Sequence, residues 1–171
     1  VKAAYYVVKE LGLTDEEFVS GVQTMTGPAR RLEVIRSNED HTTYFDFAHA
    51  PSKVNATVKA VRERHPDKRL IAILELHTFS SLDKNFIPQY AHTLDPADEA
   101  YIFYNPETAK SKRMEIAEPE FLIHAFERDD IKVIQEKDAL EQLLLNVPNK
   151  DTVLLIMTSG NFGGLDVRMM F

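Results

Sequence analysis

Apolar and polar positions along this chain switch repeatedly between helical and extended periods. Ala4, Tyr5, Val8 and Leu11 recur at close to helical spacing and Gly12 follows as a C-cap, so residues 1–11 read as a helix. Thr14-Asp15-Glu16-Glu17 is a capping box opening a second short helix through about Thr24. Gly27-Pro28 then breaks the pattern. Arg31–Ile35 and Thr42–Phe47 are extended runs around the polar turn Ser37-Asn38-Glu39-Asp40, the pattern of a hairpin. From Pro51, well placed in a first helical turn, Val54, Val58 and Val61 share one helix face as far as Arg64.

Strands and helices alternate thereafter. Arg69–Leu74, Glu99–Tyr104, Ile131–Ile134 and Thr152–Met157 read as strands, and Leu82–Leu94, Glu118–Phe126 and Asp138–Val147 as helices. The polar, Lys-containing stretch Asn105–Glu115 reads as an exposed loop. This alternation predicts an α/β fold: a Rossmann-like, mostly parallel sheet flanked by helices, preceded by a β-hairpin and an N-terminal helix pair. The helical pattern is already under way at the first residue, which predicts a piece of a longer chain, with residues 1–27 ending one domain and 28–171 forming the next.

Composition narrows the classes. The 171 residues are 44% hydrophobic and 27% charged, as in ordinary globular proteins, and no apolar run approaches the length of a membrane span. No signal-peptide pattern opens the chain, so the expected compartment is the cytoplasm. Twenty-seven acids against 20 Lys and Arg give a formal charge of −7, which argues against nucleic acid and anionic membrane as partners. With no cysteine there is no disulfide, thiolate metal site or cysteine nucleophile. The six histidines are scattered without metal-ligand spacing.

Candidate chemistry gathers where strands end. In a parallel sheet the carboxyl edge brings together the loops Asp46–Lys53, Glu75–Ser81 and Thr158–Leu165. Asp46 reads either as a ribose acceptor or as a cap of the following helix, and His49 as a substrate or phosphate contact or as an ordinary surface group. His77 lies among hydroxyls and an acid, the ingredients of a base or of a plain polar loop. Thr158-Ser159-Gly160-Asn161-Phe162-Gly163-Gly164 lacks the Gly-Lys-Ser/Thr of a phosphate loop, but its glycines allow a ligand close to the backbone or simply form a turn. Arg30 and Arg31, just after the breaker, suit phosphate contact across a hinge or a solvated basic pair.

Together these pieces resemble the Mur ligase family, ATP-dependent enzymes that extend the peptide of peptidoglycan precursors. The opening helix pair with Leu11-Gly12-Leu13, and Gly27-Pro28-Ala29-Arg30-Arg31-Leu32-Glu33, look like the tail of that family's central ATPase domain and its arginine hinge. Asp46-Phe47-Ala48-His49-Ala50-Pro51 resembles Asp-Tyr-Gly-His-His-Pro of the muramate-alanine branch, and more closely Asp-Phe-Ala-His-His-Pro of the murein-peptide branch. Met157 to Gly164 is similar to the final glycine loop.

The resemblance implies a C-terminal domain, inactive alone, working with the central ATPase and N-terminal UDP-binding domains of the same chain. It implies ATP and Mg²⁺ as cofactors, with metal ligands mainly in the central domain, and UDP-N-acetylmuramate and a peptide or amino acid as substrates. By that analogy Arg31 contacts phosphates or the tetrahedral intermediate and Asp46 the ribose. His49 and His77, with neighbouring Lys53, Ser80 and Asn161, face the incoming amine, and Arg31, His49 and His77 carry the catalytic roles. Ala50 replaces the second histidine, and His77-Thr78-Phe79-Ser80-Ser81 stands where the alanine branch has His-Arg-Tyr-Thr-Arg. Losing both arginines favours a peptide over a lone amino acid. The competing expectation is a stand-alone α/β module binding a small ligand or a protein through the same loops.

Overall fold

The computed structural model describes residues 2–24 and 30–171. The Gly27-Pro28 breaker, and with it the domain boundary at 27/28, lies outside the described residues. Helices α1 (Lys2–Glu10) and α2 (Asp15–Gln23) form the opening pair. Thr14 and Glu17 make the reciprocal capping box, Tyr5 donates to Asp15 at 2.8 Å, and the Tyr5 ring meets Phe18 edge-on. Neither helix buries a residue, and Tyr6, Val7 and Leu11 remain exposed.

The sheet has strands β1 (Glu33–Ser37), β2 (His41–Asp46), β3 (Arg69–Glu75), β4 (Glu99–Phe103), β5 (Lys132–Ile134) and β6 (Thr152–Met157) in the order β1-β2-β6-β3-β4-β5. Only β1 runs antiparallel to its neighbour. The β1–β2 turn is held by Asn38, whose Oδ1 accepts from the N–H groups of Asp40 and His41. Both β2 and β6 are buried at every residue, as central strands covered on two faces must be.

Successive strand residues point to opposite faces, so the sheet carries two cores. Tyr44, Leu70, Ala72, Leu74, Val153 and Leu155 pack with Val54, Val58 and Val61 of α3 (Pro51–Arg64) and with Leu122 of α5 (Pro119–Ala125). Phe45, Ile71, Ile73, Leu154 and Ile156 pack against Leu140 and Leu144 of α6 (Lys137–Leu145) and against Phe162 and Val167. The expected Rossmann-like α/β architecture is therefore present.

Two expected elements differ. Leu82–Leu94 is no α-helix but two 3₁₀ turns, Ser80–Leu82 and Ile87–Tyr90, because Pro88 has no N–H to continue a helix and Asp83 bonds its side chain to the Asn85 N–H. Its apolar residues Leu82, Ile87, Tyr90 and Leu94 are nonetheless buried. Conversely, the expected loop Asn105–Glu115 contains α4 (Pro106–Ser111), started by the Asn105 side chain accepting from Glu107 N–H and by Pro106 in the first turn. β1 begins at Glu33 rather than Arg31, since Arg30 and Leu32 have left-handed backbones (φ 56° and 49°).

The polar start of β2 makes the fold acid-sensitive. His41 is only 1% exposed and its ring bonds Thr43 Oγ1 at 2.7 Å. Burial holds its pKa below the ordinary 6.5 and the Arg36 and Lys68 charges add to this, while the Pro148 carbonyl opposes them. His65, bonded to the Tyr44 hydroxyl, is lowered too, chiefly by burial. The unfolded chain thus takes up these protons first as pH falls, and stability drops from about pH 6.5 downward through the lower folded values. The midpoint of chemical denaturation should fall between about pH 7 and about pH 5, and fall less when His41 and His65 are both Gln. Equal slopes would remove these rings as the cause.

Candidate ligand site at the carboxyl edge of the sheet

The strand order creates a crevice around the end of β6. Chain leaving β2 and β3 turns to the α3 face, where Ala48, Leu76 and Leu82 are buried, whereas chain leaving β6 turns to the α6 face with Phe162. Neighbouring strands whose connections diverge in this way leave a gap at the carboxyl edge, the usual ligand position in open α/β sheets.

On the β2 side Asp46 is buried and its carboxylate is engaged by backbone. Oδ2 accepts from Leu32 N–H at 2.5 Å, Oδ1 from Ala48 N–H at 2.7 Å, and the Thr57 hydroxyl reaches Oδ1 at 3.4 Å. Asp46 is not the helix cap that one reading of the sequence allowed. The N-cap of α3 is Ala50, with no side-chain bond. Asp46 instead ties the 30–32 strap to the end of β2, reinforced by Phe47 N–H donating to Arg30 C=O and by Arg30 N–H donating to Glu33. These bonds hold two left-handed non-glycine residues, a conformation that costs roughly 1–3 kcal/mol each.

The strap sets each of its arginines over an aromatic ring at the end of β2. Arg30 lies over the Phe45 ring at 5.3 Å and Arg31 over Phe47 at 5.6 Å, with Phe47 meeting His49 edge-on. His49 Nδ1 is 2.8 Å from Phe47 C=O. A carbonyl only accepts, so Nδ1 carries a hydrogen and Nε2 is the ring nitrogen left for another partner. The His49 carbonyl in turn accepts from the buried Tyr90 hydroxyl, whose pKa burial pushes far up. Lys53 is exposed on the first turn of α3.

On the other side Glu75 is 3% exposed and joins β3 to the glycine loop. It accepts from Thr158 Oγ1 and, at 2.9 Å, from Phe162 N–H, while Thr158 Oγ1 accepts from Gly160 N–H at 2.7 Å. His77 Nδ1 stands 3.6 Å from Glu75, and the His77 carbonyl accepts from Lys112 Nζ at 2.6 Å. Ser80 is exposed in a hydroxyl cluster with Thr78 and Ser81. Beside the loop a pocket of about 430 Å³ is lined by Arg30, Phe45, Thr158, Gly160, Asn161 and Arg168, among others. Arg168 stacks on Phe45 and pairs with Glu33 at 2.6 Å.

The expected residues thus fall into separate groups. Arg31, Asp46, His49 and Lys53 belong to the β2 end, His77 and Ser80 to the β3 end, and Asn161 alone of the seven lines the pocket. Sequence reasoning gave no role to Glu75, Thr158, Lys112 or Arg168. Glu75, an acid closing an apolar strand, was the one legible signal among them. Among the described residues no group of three or more His, Asp or Glu is placed to hold a metal ion.

Residues 30–160 match the family model of the Mur ligase glutamate ligase domain, which spans both halves of this crevice. The chain belongs to the Mur ligase family. This Mur ligase domain is 28% identical over 98% of its length to the UDP-N-acetylmuramate–L-alanine ligase of Chlorobium phaeobacteroides, covering 37% of that protein. It spans little more than a third of the length of the relatives it matches. In fold it is similar to the UDP-N-acetylmuramate-alanine ligase of Thermotoga maritima (TM-score 0.70, 16% identity, 93% of this chain and 33% of that one). It is also similar to a murein peptide ligase of Psychrobacter arcticus (TM-score 0.63, 20%, 88% and 31%). A folylpolyglutamate synthase of Mycobacterium tuberculosis, complexed with ADP and AMPPCP, shares the fold as well (TM-score 0.54, 18%, 86% and 33%).

The Gly160 backbone is packed so closely that a Cβ there would lie 2.5 Å from His77 Cγ and 2.7 Å from Glu75 Oε2. Gly160→Ala in this Mur ligase domain should therefore displace the His77 ring and cost about 1–3 kcal/mol in denaturant unfolding, as overpacking does. Unchanged stability would mean that the loop yields freely.

Proposed function

We propose that residues 28–171 are the C-terminal, amine-side domain of a cytoplasmic ATP-dependent ligase that joins a murein tripeptide to UDP-N-acetylmuramate, and that residues 1–27 end its central ATPase domain. The observation that carries this reading is the family match over residues 30–160 together with the meeting of three polar loops at the end of β6. No helix among the described residues is long and apolar enough to cross a membrane.

In the proposed reaction ATP phosphorylates the muramate carboxylate. The incoming amine nitrogen then forms a bond to the acyl carbon, the C–O bond to phosphate breaks, and phosphate leaves with the electron pair while the nitrogen loses a proton to a base. Arg31 would meet the phosphates or the tetrahedral intermediate; its placement over Phe47 aims an always-charged group past the end of β2. Asp46 would accept from the ribose. Its oxygens already take two backbone N–H groups and the Thr57 hydroxyl, but a carboxylate has about four acceptor sites. His49, with an available Nε2, and His77 would serve the amine, with Lys53, Ser80 and Asn161 around them. Mg²⁺ would be held mainly by the central ATPase domain, and UDP-N-acetylmuramate chiefly by the N-terminal UDP-binding domain of the same chain.

Two observations favour a peptide: no arginine lies between His77 and Ser81, and the open pocket beside Asn161 is walled by Arg30 and Arg168, farther along the rim. The name of the Chlorobium relative favours L-alanine as the second reading.

The full-length enzyme with ATP, Mg²⁺, UDP-N-acetylmuramate and tripeptide should release phosphate, and residues 1–171 alone should not. Turnover with L-alanine but none with tripeptide would overturn the peptide assignment. In that enzyme Asp46→Ala should raise the KM for ATP and Arg31→Ala should lower kcat, each about tenfold to a hundredfold for one lost charge-assisted bond. Unaltered kinetics in both would misplace the site.

A further inference from the structure

We propose that Glu75 is a positioning residue that sets the spacing between the His77 imidazole and the Asn161 side chain on the amine-side wall; this rests on the ligase reading above. A carboxylate at 3% exposure is costly unless its oxygens are bonded, and those of Glu75 are bonded across the crevice rather than within its own loop. Its partners, Thr158 Oγ1 and Phe162 N–H, both come from the chain leaving β6. Thr158 passes the restraint on by accepting from Gly160 N–H. Residues 158, 160 and 162 are thereby pinned to the end of β3, and exposed Asn161 projects from between two anchored positions.

The same carboxylate backs the imidazole. His77 Nδ1 lies 3.6 Å from Glu75 Oε1, beyond hydrogen-bond length but close enough for the charge to favour one ring orientation. The Gly160 backbone packs against the same edge of the ring, since a Cβ there would lie 2.7 Å from both His77 Nδ1 and Glu75 Oε2. Lys112 fixes the His77 carbonyl and, over the Phe79 ring at 4.9 Å, is itself held. Glu75 touches no reacting atom on this account. It holds the two groups that would face the amine at one distance, in the way a supporting shell locks a site.

The test uses the full-length enzyme. Glu75→Leu removes both acceptor oxygens at similar volume and leaves the Phe162 N–H and the Thr158 hydroxyl without their partner, whereas Glu75→Gln can keep the Phe162 N–H on its amide oxygen and donate its N–H₂ to the Thr158 hydroxyl, which accepts as well as donates. Expected for Glu75→Leu are a rise of about tenfold in the KM for tripeptide, an unchanged KM for ATP, and faster hydrogen exchange at the Phe162 amide without a general rise elsewhere, with Glu75→Gln close to wild type on all three. Thr158→Val, which removes only the relaying hydroxyl, should shift the tripeptide KM in the same direction, and it serves as well should Glu75→Leu misfold. Unchanged Phe162 exchange in Glu75→Leu, or KM values for ATP and tripeptide raised alike, would overturn the proposal. Absence of phosphate release by the wild type would instead sink the ligase reading, whereas the exchange measurement reads the Glu75 clamp in an enzyme that turns nothing over.

Discussion

The carboxyl edge of this domain depends on β6 lying between β2 and β3, paired in parallel over six residues on each side. That insertion is the last step in chain order, yet it creates the crevice. Thr158, one residue beyond β6, donates its N–H to the Asp46 carbonyl on one side and its hydroxyl to the Glu75 carboxylate on the other. Residues 112 positions apart are thereby set within one hydrogen-bonded unit, from Asp46 to Thr158. The apolar burial that drives the pairing, Val153 to Met157 at 0% exposure, is what holds the polar groups in register.

Two buried acids work as struts at that edge. Asp46 fastens the arginine strap and Glu75 fastens the glycine loop, each by accepting backbone N–H groups that would otherwise be unpaired in a dry place. Such bonds contribute little net stability but are costly to leave half-made, so they specify one geometry more than they strengthen the fold. The strained backbone at Arg30 and Leu32 is sustained in this way, with the Arg30 and Arg31 guanidiniums over the Phe45 and Phe47 rings.

Much of this was legible in the residues. β2, α3, β3 and β6 follow from apolar periodicity and from Pro51, because buried strands and an amphipathic helix leave patterns that tertiary contacts only reinforce. The segment 82–94 misled because its buried positions mimic a helical face while Pro88 forbids the hydrogen bonds. At α4 the Asn105-Pro106 start signal was outweighed by a polar, Lys-containing composition that resembles a loop. Both errors come from letting side-chain pattern stand in for backbone donors and acceptors.

By itself the sequence determined the fold class, the three loops that carry chemistry and the resemblance to a family, since these rest on local periodicity and on short motifs. Tertiary structure alone decided what Asp46 and Glu75 do. Whether a carboxylate caps its own helix or crosses to Leu32 or Phe162 depends on strand order and on which N–H groups are left without partners at the sheet edge. Those are long-range facts, fixed by the burial of β6 between two strands that precede it in the chain.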